Sequence, residues 1–161
     1  MKGAALVWAA VATWTALAVY SAWTDLRKAI IPRRACWIAG STIALLLVVA
    51  AVSMGDLARY LWTLAGTAGV AALLEAAYRR WPGKLGYGDV RLIIVNSMLA
   101  GWWGPAWPWW ALLGGALAAW PAAAVSALRR GRDAHIRWAP ALSIGTAAVV
   151  GWHLWTAGPT G

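Results

Sequence analysis

"LIIVNSMLAGWWGPAWPWWALLGGALAAWPAAAVSAL", Leu92–Leu128, contains no Asp, Glu, Lys or Arg. A helix needs about 20 predominantly apolar residues to cross the hydrocarbon core of a bilayer. The run is too long for one such helix and divides at its centre, where "GWWGPAWPWW" supplies the glycines and prolines of a tight turn. It reads as two antiparallel membrane helices. Trp102, Trp103, Trp107, Trp109 and Trp110 cluster at the turn. There each indole can bury its ring and keep its N–H wet, as in the tryptophan belt at a membrane surface. A ligand-binding aromatic cage is the less favoured reading.

Working outward, the same lack of charge recurs over Gly3–Thr24, Ala35–Gly55 and Trp138–Gly161. The chain has 161 residues, 62% of them hydrophobic and 12% charged. A soluble domain carries about 25% charge. The expected fold is therefore an all-α integral membrane protein, one domain over residues 1–161. Six spans fit: 4–24, 35–54, 60–78, 89–103, 108–127 and 138–157. The first run is longer than the apolar part of a signal peptide, and it too reads as a span.

The formal net charge of +9 does not point to nucleic acid, because the basic residues sit in short clusters between apolar runs. Arg27, Lys28, Arg33 and Arg34 fall in the first loop. Arg79, Arg80, Lys84 and Arg91 flank the third, and Arg129, Arg130, Arg132 and Arg137 the fifth. The second loop has Arg59 offset by Asp56, and the fourth has no charge. By the positive-inside rule the odd loops face the cytoplasm and both termini face outward. The single cysteine, Cys36, leaves no disulfide pair within the chain. His135 and His153 fall on different elements without nearby ligand partners, so no metal or other cofactor is expected.

Only five residues are acidic. Asp25 ends the first span and Asp89 begins the fourth, so the topology puts both at the cytoplasmic boundary. Two carboxylates brought together in a poorly solvated place do not both ionise comfortably; one retains a proton. Such a pair can hydrolyse a peptide without metal or covalent intermediate: one member takes a proton from water, the other donates to the carbonyl. Gly86 and Gly88 precede Asp89 in "GYGD", where the lack of a Cβ permits close approach of an extended substrate and φ > 0. Judged singly, each acid has a plainer reading. Asp89 suits a helix N-cap and Asp25 an ordinary loop acid.

Three stretches resemble the type IV prepilin peptidases, a family of GxGD membrane aspartic proteases. "TDLRKAIIPRR" is similar to the family's first motif, with Asp25 followed by Ile31 and Pro32. "GKLGYGDVRLIIVNSMLAGWWG" resembles the second, with Gly86, Gly88, Asp89 and the basic Arg91. "WAPALSIGTA" resembles the Pro-containing last span, through Pro140 and Gly145. With the six-span layout, the resemblance covers most of the chain. It implies a GxGD-type bundle in the bacterial cytoplasmic membrane, with Asp25 and Asp89 as the catalytic pair. The implied reaction is removal of the basic leader from prepilin or pseudopilin precursors on the cytoplasmic side.

The chain departs from the family in having Arg33 after Ile-Pro, where Asn or Asp is usual, and Arg91 where Lys is usual. It also lacks the tetracysteine segment of larger relatives, so their N-methylating activity is not expected. Presenilin-like proteases share GxGD and a Pro-Ala-Leu motif, present here at Pro140–Leu142, but their first aspartate follows Tyr. Here it follows Thr24.

Glu75 lies within the third span with Arg79 at i+4, which predicts a structural ion pair. Pro121 predicts a kink in the fifth span. Asp133 reads as a locally paired surface acid, and the final "TAGPTG" as a frayed end. Two other functions compete with this reading. A catalytically inert scaffold or assembly factor of a pilus or secretion system would keep the fold without the chemistry. A transporter would carry charge along a midplane path, whereas the mid-span positions here are uncharged.

Overall fold

The computed structural model describes residues 2–81, 86–130 and 138–159. Among them are six α-helices: α1 (Lys2–Lys28), α2 (Arg33–Met54), α3 (Leu57–Arg80), α4 (Tyr87–Ala100), α5 (Trp107–Arg130) and α6 (Ala139–Thr156). A 3₁₀ turn, Gly101–Trp103, extends α4. Each helix overlaps one expected span. Four of them, α1, α2, α3 and α5, are long and apolar enough to cross a membrane, which suggests a multi-pass membrane protein. Helix α4 is the shortest, at 14 residues.

The connections are short because each helix has a specific stop. Helix α1 runs one turn beyond its expected end and stops at Ala29, whose φ of 52° is left-handed and whose N–H donates to the Asp25 carbonyl at 2.9 Å. Helix α2 stops at Gly55, φ 70°, and Asp56 then accepts from the Arg59 N–H to begin α3. The loop between α5 and α6, with Asp133 and His135, lies outside the described residues, as does Lys84.

Helix packing separates two ends of the bundle. At one, Ile31 of the α1–α2 connection lies over Gly88 of α4, and Asp25 of α1 meets Ala139 of α6. At the other, Gly3 faces Met54, Gly101 faces Thr63, and Gly66 faces Pro105. The main core joins α1, α2 and α4 through Val7, Ile43, Leu47, Leu92 and Leu99. Helices α5 and α6 approach by backbone contact. A Cβ at Gly145 would overlap the Gly115 nitrogen and the Ala111 carbonyl oxygen, so only glycine permits this crossing.

Two local expectations change. Trp102 is fully buried, and its Nε1–H donates to the Pro159 carbonyl at 3.0 Å. Trp103 donates to Gly158 and stacks on His153, while Trp107 meets that imidazole edge-on. These indoles hold the chain end rather than forming a belt; Trp109 and Trp110 remain exposed as a belt requires. Gly158 and Pro159 of the final stretch are thereby bonded to the bundle, while Thr160 and Gly161 lie outside the described residues. Pro121 lies inside α5, where the sequence places it.

Candidate functional site

Three sequence stretches converge at the end of the bundle marked by Ile31 and Gly88. The first descends from α1. Asp25 lies in its last helical turn, not after it, and is only 5% exposed. Its Oδ2 accepts the backbone N–H of Ala139 at 3.2 Å. Ala139 is the first residue of α6, where the amides have no partner within the helix, and a carboxylate is a favourable acceptor at that positive end. Pro140 follows at the second helical position, where a missing N–H costs nothing. The structural part played by this proline is thus visible: it leaves the neighbouring Ala139 amide as the donor that Asp25 takes.

The second stretch is the α1–α2 connection. Past the left-handed turn at Ala29 the chain doubles back. Pro32, at φ −68° and ψ 117°, occupies the N-cap position of α2, and its carbonyl accepts from the Cys36 N–H at 3.2 Å. Ile31, half-buried, packs both on the α1–α2–α4 core and on Gly88. The Ile-Pro pair therefore joins the end of α1 to the start of α4.

The third is the "GYGD" turn. Gly86 is the N-cap of α4, with Tyr87, Gly88 and Asp89 its first three residues, so Asp89 is not itself the cap. Gly86 is extended at φ −72° and Gly88 is helical, and neither has the positive φ expected from the sequence. Both are needed for space instead. A Cβ on Gly86 would sit 2.8 Å from Asp89 Oδ2, and one on Gly88 would sit 3.1 Å from Ile31 Cβ. Gly86 thus leaves room for the carboxylate, and Gly88 for the Ile-Pro connection. Arg91 lies with its guanidinium 4.4 Å from the Tyr87 ring centre, and Tyr87 in turn packs on Tyr78 of α3.

A polar clamp absent from the sequence reading lies below these residues. Asn96 is buried on α4; its Oδ1 accepts from Trp14 Nε1–H of α1 at 2.9 Å, and its Nδ2–H donates to the Leu142 carbonyl of α6 at 3.3 Å. One side chain thereby joins the helices that carry Asp25, Asp89 and Pro140. Its signal was the lone amide in an otherwise apolar span, a rarity that marks such positions. Ser21, one turn before Asp25 on the same side of α1, is fully buried, and its Oγ has no partner among the described residues. Glu75 is accounted for by its ion pair with Arg79 at 2.8 Å, and Asp56 by Arg59 at 3.0 Å.

Among the described residues no three His, Cys, Asp or Glu side chains gather as a metal site would require. Chemically, the convergent end offers two carboxylates on separate helices, beside a helix N-terminus and a glycine turn. No family model, curated protein or solved structure matches the chain.

Proposed function

We propose that this protein is a membrane aspartic endopeptidase of the type IV prepilin peptidase kind. It removes the basic leader from prepilin or pseudopilin precursors at the cytoplasmic face of a bacterial membrane. All six helices cross the bilayer, and both termini lie outside. The observation that carries this reading is the meeting of the three motif stretches, through Asp25 with Ala139 and Ile31 with Gly88.

In the proposed reaction Asp25 and Asp89 hold one proton between them and share a water. The ionised carboxylate takes a proton from the water as its oxygen attacks the scissile carbonyl carbon. The protonated carboxyl gives its proton to the carbonyl oxygen. The tetrahedral intermediate then collapses: the carboxyl that took the water proton gives it to the departing nitrogen, and the other carboxylate takes a proton from a hydroxyl of the intermediate, which restores the single shared proton. The gap at Gly86 keeps space beside Asp89 for this exchange.

The Asp25–Ala139 hydrogen bond also favours a second reading, in which Asp25 only tethers α6 and the chain is a non-catalytic pilus or secretion assembly factor. The two separate by assay of the purified chain in bilayers with a prepilin-like peptide bearing a basic leader. A peptidase cleaves it, and Asp25→Asn or Asp89→Asn lowers the rate by roughly 10²–10⁴-fold, the range of a lost general acid or base. Undiminished cleavage by either variant excludes the paired mechanism. A folded wild type that cleaves no prepilin favours the assembly factor.

A further inference from the structure

A groove of about 440 Å³ runs between α2 and α4, beginning at the end of the bundle that holds the candidate site but lined by neither aspartate. Its mouth is formed by Arg33, Tyr87 and Arg91, and its trough by small and flexible residues such as Gly40, Ala44 and Met98. From Arg33 to Ala44 the wall follows three turns of α2, about 16 Å at 1.5 Å per residue. The outer face of this helix is apolar and unpacked, with Trp37 62%, Ile38 69% and Leu45 62% exposed.

The mouth has the chemistry of an anion site. Arg33 is the first residue of α2, so a helix N-terminus with no acid in its first turn opens there, while the start of α4 beside it, at Tyr87, already holds Asp89. The N-cap of α2, Pro32, supplies no side-chain hydrogen bond to the amides of that first turn. A helix start attracts anions through these amides and through its dipole, and two arginine side chains add full positive charge. The trough has the opposite character: a narrow apolar channel along a helix fit to cross a membrane.

We propose that the groove between α2 and α4 binds one anionic phospholipid, its phosphate at Arg33 and Arg91 and an acyl chain laid along Gly40 and Ala44. A single ligand with an anionic head and an apolar tail satisfies both parts at once. A basic peptide meets repulsion at the mouth, and a free phosphate leaves the trough unfilled. The lipid site is independent of the hydrolytic reading, since its readout is retained lipid and not cleavage.

The test is native mass spectrometry of the full chain in detergent, with phosphatidylglycerol or phosphatidylcholine of identical acyl chains. One phosphatidylglycerol is retained in preference to phosphatidylcholine, and Arg33→Gln with Arg91→Gln weakens it by about tenfold per arginine, the effect of a lost charged hydrogen bond. Ala44→Leu, which leaves both arginines in place, also lowers retention and carries the test if the arginine variant does not fold. Equal retention of the two lipids overturns the proposal, as does a preference unchanged in the variants. Complete displacement by inorganic phosphate overturns it in favour of a soluble-anion site. Binding of an apolar helical peptide with no retention of phosphatidylglycerol overturns it in favour of a helix-docking face.

Discussion

The carboxylate of Asp25 accepts the backbone N–H of Ala139 at 3.2 Å, joining the last turn of α1 to the first of α6. A carboxylate on one helix therefore closes the end of another. That bond makes the usual aspartate substitutions unequal.

Asp25→Asn retains an oxygen acceptor for the Ala139 amide, whereas Asp25→Ala leaves a buried donor unpaired, at a cost of about 1–3 kcal/mol. Thermal unfolding in detergent should show the asparagine variant close to wild type and the alanine variant clearly less stable. Cleavage should be lost in both. Equal stability of the two variants would remove the tether from the account.

Gly86→Ala tests whether the glycine turn serves space or backbone freedom. At φ −72° alanine fits the backbone, so the fold should persist. The added Cβ, 2.8 Å from Asp89 Oδ2, meets the far end of a side chain and turns the carboxylate aside. The expected result is a rate reduced by about tenfold or more, through lost alignment, with little change in melting temperature. A large fall in stability would instead indicate a backbone role.

Ala29 ends α1 in the left-handed region, at φ 52°, where a Cβ is disfavoured by about 1–2 kcal/mol. Ala29→Gly should therefore stabilise the chain by roughly 0.5–1 kcal/mol, after allowing for the added freedom of glycine in the unfolded state. Chemical or thermal denaturation in detergent measures it. A destabilised variant would mean that the turn at Ala29 is held by something other than its backbone.

Asn96→Leu removes the amide that joins Trp14 and Leu142. It leaves the buried Trp14 indole N–H without its acceptor, at about 1–3 kcal/mol. Because Asn96 bridges the helices bearing both aspartates, cleavage should fall more steeply than stability. Comparing the rate with that of an equally destabilised variant on α5, remote from the clamp, isolates this effect. Equal rates would leave Asn96 a packing residue.

The helices were legible because the apolar pattern that suits a membrane span is a local demand on sequence. Backbone groups without water must pair within their own segment, so uncharged runs punctuated by basic clusters mark each helix to within about a turn at its ends. Alternation of the loops predicts Asp25 and Asp89 on one face; the structure adds that Ile31, which follows Asp25 in the next connection, packs on Gly88, the neighbour of Asp89. The Glu75–Arg79 pair was readable for the same reason, as neighbours at i and i+4 on one helix.

Contacts that depend on how helices cross were not legible. Whether Trp102 faced lipid or Pro159 was decided by the approach of the chain end, and the reason for Gly86 and Gly88 by where Asp89 and Ile31 came to lie. The partner of Asp25 is an amide more than a hundred positions away, exposed as a donor only because α6 begins there. Apolar pattern and charge act along the chain within a turn or a span. Hydrogen bonds between helices require ångström-scale positions, which arise only when ridges, glycine gaps and caps have settled the packing.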